Sequence, residues 1–296
     1  MIGQAGSLAI RSAPSMDDPV ELGQSLNGFV VHKLDPDLRV RVTRVMPDLD
    51  RRLDATVEQL WRAAAERVEA GGAGSLFNGR VFSADRITPI EITGHFTEFR
   101  RLVAQMERPA LFASLGLRPL AVCGVLRCAD GVPFGRRHPA AIYQAGMWQL
   151  PPAGSVDSSA VSVEGAVDLR AQMLTELAEE LGLRPDQVDP PRVLCAVEHP
   201  GSHVTDIGIA LVTALTGAQV LEAHRAHANA EYASLTIVPF DGMADFVARA
   251  GADLVPPACV FLASAGLLGQ FTRLSDVHPI APANQRGGPA ERTSGT

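Results

Sequence analysis

The chain has 296 residues, 46% hydrophobic and 20% charged, with 26 Lys and Arg against 33 Asp and Glu for a net charge of −7. That length buries a core without disulfide or metal staples, and the acidic balance gives no global basic field, so duplex nucleic acid is not an expected partner. No apolar run approaches the length that spans a bilayer, which removes the membrane from the expected partners as well.

Residues 1–20 are poorly patterned and read as a disordered N-terminus, without the charged and apolar regions of a secretory signal. Phe29–Leu34 and Arg39–Val45 read as strands, with Asp35, Pro36 and Asp37 turning between them. A helix is expected from Asp48 to Glu69, because Leu53, Val57, Leu60, Trp61 and Ala64 recur at three-to-four spacing. Gly71, Gly72 and Gly74 stop it. Strands follow at Arg80–Ile87 and Ile90–Phe96, then a helix near Thr97–Met106. This first section, 21–117, reads as an α+β extension. It carries no charge constellation with an obvious chemistry.

A second section, 118–278, opens with strands at Leu120–Cys128 and Val132–Arg137 around an Ala129-Asp130-Gly131 turn. A loop from Trp148 through Pro151 and Pro152 leads to a helix over Asp168–Leu181, closed by Gly182. Arg192–His199 and Thr205–Leu215 read as paired strands, and Ser234–Pro239 as another. Helices are expected at Asp241–Ala250 and Pro257–Leu268. Residues 279–296, rich in Pro, Gly and Thr, read as a disordered tail. Strands alternating with helices that pack on both sides predict an α/β/α sandwich with a mixed sheet. The four cysteines (Cys123, Cys128, Cys195, Cys259) form no Cys-x-x-Cys, so reduced buried thiols and a cytoplasmic setting are expected.

The chemistry is concentrated in Thr175-Glu176-Leu177-Ala178-Glu179-Glu180-Leu181-Gly182-Leu183. On a helix, Glu176, Glu179 and Glu180 occupy i, i+3 and i+4 and share a face, while Leu174, Leu177, Ala178 and Leu181 anchor the neighbouring face. Two carboxylates about 5 Å apart repel by roughly 3 kcal/mol at an effective dielectric near 20, and by under about 1 kcal/mol in water. An open face leaves the cluster as solvated surface; a cleft demands a cation, and all-oxygen donors point to Mg²⁺, with Mn²⁺ as a substitute.

Together with Gly154 in the preceding loop, Glu176, Leu177, Glu179, Glu180, Gly182 and Leu183 resemble the C-terminal half of the Nudix hydrolase motif. The resemblance covers about 118–275. Three departures stand beside it. The motif arginine is Thr175, the Gly154-to-Thr175 spacing of 21 positions exceeds the family's, and the motif's middle glutamate falls on Val167. Glu164, or Asp168 with Arg170, is an alternative source of that ion pair. The long loop and the Leu76-Phe77-Asn78-Gly79 segment bear a weaker resemblance to the branch that hydrolyses UDP-glucose and UDP-galactose.

The resemblance implies a Mg²⁺-dependent hydrolase that cleaves the diphosphate of a nucleoside diphosphate linked to another moiety, such as a nucleotide sugar. Glu176, Glu179, Glu180 and the Gly154 carbonyl would hold metal, and Glu176, Glu180 or Glu231 would serve catalysis. Glu231 reads equally as an ordinary carboxylate ending the 224–231 loop. Arg136 and Arg137 are candidates for phosphate, or a solvated hairpin pair. Asn78 is a candidate substrate contact, or a turn residue. His199 and His203 flank a Pro-Gly hairpin and are weaker candidates for the site. Tyr143 and Trp148 are candidates for stacking on a base or for packing. The missing arginine keeps a second class open, a Nudix-fold nucleotide sensor without turnover. Relatives that are dimers leave a homodimer open.

Overall fold

The structure, a computed structural model, describes residues 25–26, 28–72, 75–227 and 231–269. The expected disorder of 1–20 and 279–296 lies outside the described residues, as do Ala73 and Gly74. In chain order the elements are β1 (Ser25–Leu26), β2 (Phe29–Lys33), β3 (Arg39–Val42), α1 (Arg51–Ala70), β4 (Arg80–Ile87), β5 (Glu91–Glu98), α2 (Phe99–Glu107) and α3 (Phe112–Leu115). Then come β6 (Leu120–Arg127), β7 (Gly131–Arg137), β8 (Trp148–Gln149), β9 (Ala153–Ser155), β10 (Ala166–Val167) and α4 (Leu169–Leu181). The order finishes with β11 (Arg192–Glu198), β12 (Thr205–Val212), α5 (Gly217–His227), β13 (Tyr232–Pro239), α6 (Met243–Ala250) and α7 (Pro257–Ser264).

A mixed six-stranded sheet, β1-β2-β11-β12-β6-β9, forms the middle layer. Alternation along its strands creates two cores. Leu120, Val122 and Leu126 of β6, with Ile207, Ile209 and Leu211 of β12, face Met173, Leu177 and Leu181 of α4. Cys123 and Val125 face the other way, toward Ala258, Phe261 and Leu262 of α7. In β11 the register slips between Val193 and Ala196, so both face α4 while Cys195 and Val197 face α7. This is the α/β/α layering that the element pattern predicts.

The two sections of the chain exchange strands. The Asp35–Asp37 turn does not close a hairpin. It sends β2 to pair antiparallel with β11 in the central sheet and β3 to pair parallel with β5 in a second sheet, β10-β3-β5-β4. In return, β10 leaves the long loop after Gly154 and pairs with β3. Glu198 fastens the junction. Burial works to raise its carboxyl, but His32 from β2, His203 and Arg118 overcome that and hold it down at about 2.

Helix ends follow their caps. Asp50 accepts from the Arg52 and Leu53 amides, so α1 starts at Arg51 rather than at Asp48. Asp168 accepts from the Arg170 and Ala171 amides, and Gly182, at φ +67°, ends α4. Three expectations need correcting. β3 stops at Val42, and α7 ends at Ser264 rather than at Leu268. The stretch read as a 224–231 loop is helical up to His227, the end of α5. His224 Nδ1 lies 2.8 Å from the Glu180 carbonyl, one of the last-turn oxygens that α4 leaves without an internal donor.

Leu177 is fully buried under the sheet, and Leu174 only partly. Leu177→Ala is expected to cost about 2–5 kcal/mol of unfolding free energy, against a smaller loss for Leu174→Ala, read from denaturant midpoints at unchanged slope.

Candidate active site

α4 carries the three glutamates to different surroundings. Glu176 lies against the edge strand β9. A Cβ at Gly154 would sit 2.1 Å from Glu176 Oε1, so the absence of a side chain at Gly154 is what admits the carboxyl. Gln172, one turn earlier and 3% exposed, donates from Nε2 to Glu176 Oε1 at 2.8 Å. Gln172, at i−4, thus fixes the orientation of the Glu176 carboxyl. Thr175 instead turns its hydroxyl back to the Ala171 carbonyl, and Arg170 reaches the Pro36 carbonyl.

Glu180 is 5% exposed. Its Oε2 accepts from the Ala153 amide at 3.1 Å and from the Tyr232 hydroxyl at 2.8 Å. Burial drives its carboxyl well above the usual range. The Tyr232 bond opposes that rise, and the charges of Glu176 and Glu231 add to it. Burial likewise lifts Glu176 to about 7. Its bond from Gln172 lowers it, and Glu179, Asp157 and Glu231 push it up. Glu179 sits on the exposed side of the helix.

Pairing of β13 with β7 sets Tyr232 opposite Arg137, which brings Glu231 to the arginine. Arg137 Nη2 lies 3.6 Å from Glu231 Oε1, Nη1 donates to Gln149 Oε1, and Nε donates to the Tyr143 carbonyl at 3.2 Å. Glu176, Glu180 and Glu231 thus lie close enough for the charge of each to act on the others, with Arg137 beside Glu231.

Two expected site residues are elsewhere. Arg136 alternates to the opposite face of β7, pairs with Asp253 at 3.2 Å and lies over the Trp148 ring. Asn78 accepts from the Arg100 amide and so supports the first turn of α2. Trp148 packs edge-on against Phe246, and His203 stacks on Phe112. His199 lies behind the cleft, bonded to Tyr143 and Asp206.

Sequence reasoning missed Gln172, Tyr232, Asp157 and Gln149. For Gln172 a signal existed, since it stands four residues before Glu176 on one helical stripe. Tyr232 and Gln149 reach the cleft only through strand pairing, which no local spacing encodes.

The donor set fits a hard divalent cation in its chemistry. It is all oxygen, with Glu180 buried, Glu176 largely so and Glu231 exposed beside Arg137. Among the described residues, no three His, Cys, Asp or Glu side chains converge closely enough to hold one ion by themselves. A separate cleft of about 440 Å³, lined by Leu49, Leu53, Arg101 and Leu117 among others, belongs to the first section and contains none of the α4 glutamates. No helix among the described residues is long and apolar enough to cross a membrane.

No protein-family model matches the chain, and no curated protein matches it. Among solved structures it is similar to DR0079 from Deinococcus radiodurans, at 17% identity and a TM-score of 0.26, over 45% of this chain and 82% of that one. It is also similar to an ADP-ribose pyrophosphatase from Streptococcus suis, at 17% identity and a TM-score of 0.27, over 42% of this chain and 75% of that one.

A carboxyl held at about 7, against 4.5 ordinarily, keeps its proton in the fold at a pH where the unfolded chain has lost it. Stability then falls as pH rises from 4.5 through 7, by about 3 kcal/mol for this group at 1.36 kcal/mol per pKa unit. In metal-free buffer, unfolding free energy should drop across that window more steeply for the unaltered protein than for Glu176→Gln. Parallel pH profiles would contradict this placement of Glu176.

Proposed function

We propose that the protein is a divalent-cation-dependent hydrolase of nucleoside diphosphate derivatives, nucleotide sugars among them, and a divergent relative of the Nudix hydrolases. The observation that carries this reading is the buried Glu176–Glu180 pair within reach of the Glu231 charge, with Arg137 beside Glu231. Such a pair is costly as an apolar-core feature and is stabilised by a cation.

Glu176 and Glu180 would hold a Mg²⁺ ion, with Glu179 and the Gly154 carbonyl as further oxygen donors. The ion, when bound, supplies charge neutralisation of the diphosphate and an acidified water. The chain's own residues do the rest. Arg137 binds diphosphate oxygens through its guanidinium edge. Glu231, beside it and partly open to solvent, accepts the proton of the attacking water. Gln172 and Tyr232 fix the carboxyl oxygens, so they do not reorganise as charge arrives.

A second reading, a nucleotide-binding protein without turnover, is favoured by one observation. The Ala153 amide and the Tyr232 hydroxyl already occupy one oxygen of Glu180. The two readings separate in a single assay. Purified protein is incubated with UDP-, GDP- and ADP-linked sugars, with and without Mg²⁺, and mononucleotide release is followed. The hydrolase reading expects Mg²⁺-dependent release that Glu180→Gln or Glu231→Gln lowers by about 100-fold or more. Tight binding with no release supports the second reading.

Metal binding has its own readout. Mg²⁺ should raise the melting temperature more at pH 8 than at pH 5, because the ion competes with protons for Glu176. Tyr232→Phe should weaken that response, raising the half-effective Mg²⁺ concentration about 10-fold.

A further inference from the structure

Behind the cleft lies a second cluster of polar side chains that the proposed chemistry leaves unused. The Tyr143 hydroxyl sits 3.0 Å from His199 Nδ1 and 3.1 Å from Ser202 Oγ. His199 is 2% exposed, and its Nε2 lies 2.6 Å from Asp206 Oδ2. Asp206 stands on β12 and His199 directly follows β11, so two central strands hold one end of the chain of bonds. Tyr143 belongs to the irregular segment between β7 and β8, and holds the other end.

His199 is buried at the centre of the cluster, and Tyr143, Ser202 and Asp206 are partly buried around it. What the cluster does reach is the backbone of Tyr143, whose carbonyl accepts from Arg137 Nε. The segment does not favour this conformation by itself. Gln144, the next residue, has a left-handed φ of 51°, and its buried Nε2 has no hydrogen-bond partner. Both features cost free energy, and the bonds of the Tyr143 hydroxyl to the core offset them.

We propose that Tyr143, His199 and Asp206 are positioning residues that clamp the 138–147 segment onto the central sheet and thereby aim Arg137 at the diphosphate. The proposal rests on the assignment of Arg137 to the diphosphate made above. Aspartate orients the imidazole, the imidazole receives the tyrosine hydroxyl, and the tyrosine carbonyl holds Nε of the guanidinium whose other nitrogens meet Gln149 and Glu231. Because the clamp acts on binding geometry, its loss weakens nucleotide affinity while leaving the carboxylates of α4 in place.

The test combines two readouts on Tyr143→Phe, which keeps the ring and removes the hydroxyl, with Asp206→Asn as a second variant. ADP with Mg²⁺ is the probe for calorimetric binding. Amide hydrogen exchange follows residues 138–147. The clamp predicts about 10-fold weaker ADP binding by Tyr143→Phe, and less than about a twofold further effect once Arg137 is alanine, because the two changes break one coupled unit. It also predicts faster exchange confined to 138–147. Unchanged exchange there overturns the proposal, as do affinity losses that simply multiply in the double variant. A merely structural tyrosine gives that multiplicative result. If Arg137→Ala leaves ADP affinity untouched, the diphosphate assignment fails instead. Exchange then decides the clamp alone, with acceleration supporting it and no change rejecting it.

Discussion

Removing two carboxyl groups from water on one face of a core helix is the constraint around which this molecule is arranged. α4 buries Leu177 and Leu181 beneath the sheet, and the same rotation carries Glu176 and Glu180 against the edge strand β9. Helical geometry sets Glu176 and Glu180 on the stripe beside the buried leucines, and the bare Gly154 lets the sheet edge cover it. The surroundings then accommodate the acids one by one. Gly154 supplies room, Gln172 and Tyr232 supply donors, and the Ala153 amide supplies another. None of these is a charge. Burial therefore dominates, and both carboxyls stay well above their ordinary range.

The Nudix-like motif departs from its pattern at Thr175, and the structure gives the departure a physical meaning. A guanidinium would have oriented the first glutamate and also lowered its proton affinity. Gln172 reproduces the orientation but not the charge. Burial without a neighbouring guanidinium therefore leaves Glu176 with a raised proton affinity.

Strand exchange between the two sections makes the extension part of the scaffold. β2 completes one edge of the central sheet next to β11, and the Glu198 cluster of His32, His203 and Arg118 ties that edge to the loop that follows β11. The same loop positions His199 behind the cleft.

Much of the layering was legible in the sequence, because it follows from local rules. Leucines at helical spacing, the Asp168 cap and the Gly182 stop define α4 before any contact is known, and alternation in β6 assigns its two faces. That Glu176 and Glu180, one turn apart, travel together on one helical face was equally readable. Whether that face met solvent or a cleft was not, since burial depends on what the sheet edge leaves open at Gly154. Arg136 and Arg137 show the limit most plainly. Adjacent in sequence and identical in type, they point to opposite faces of β7, and only its pairing with β13 decided which one meets Glu231. Asn78 went to a helix cap, and Tyr232 came to Glu180, for the same reason. Sequence fixes periodicity and therefore which residues travel together, whereas register and strand partnership are long-range and are set by the joint packing of both cores.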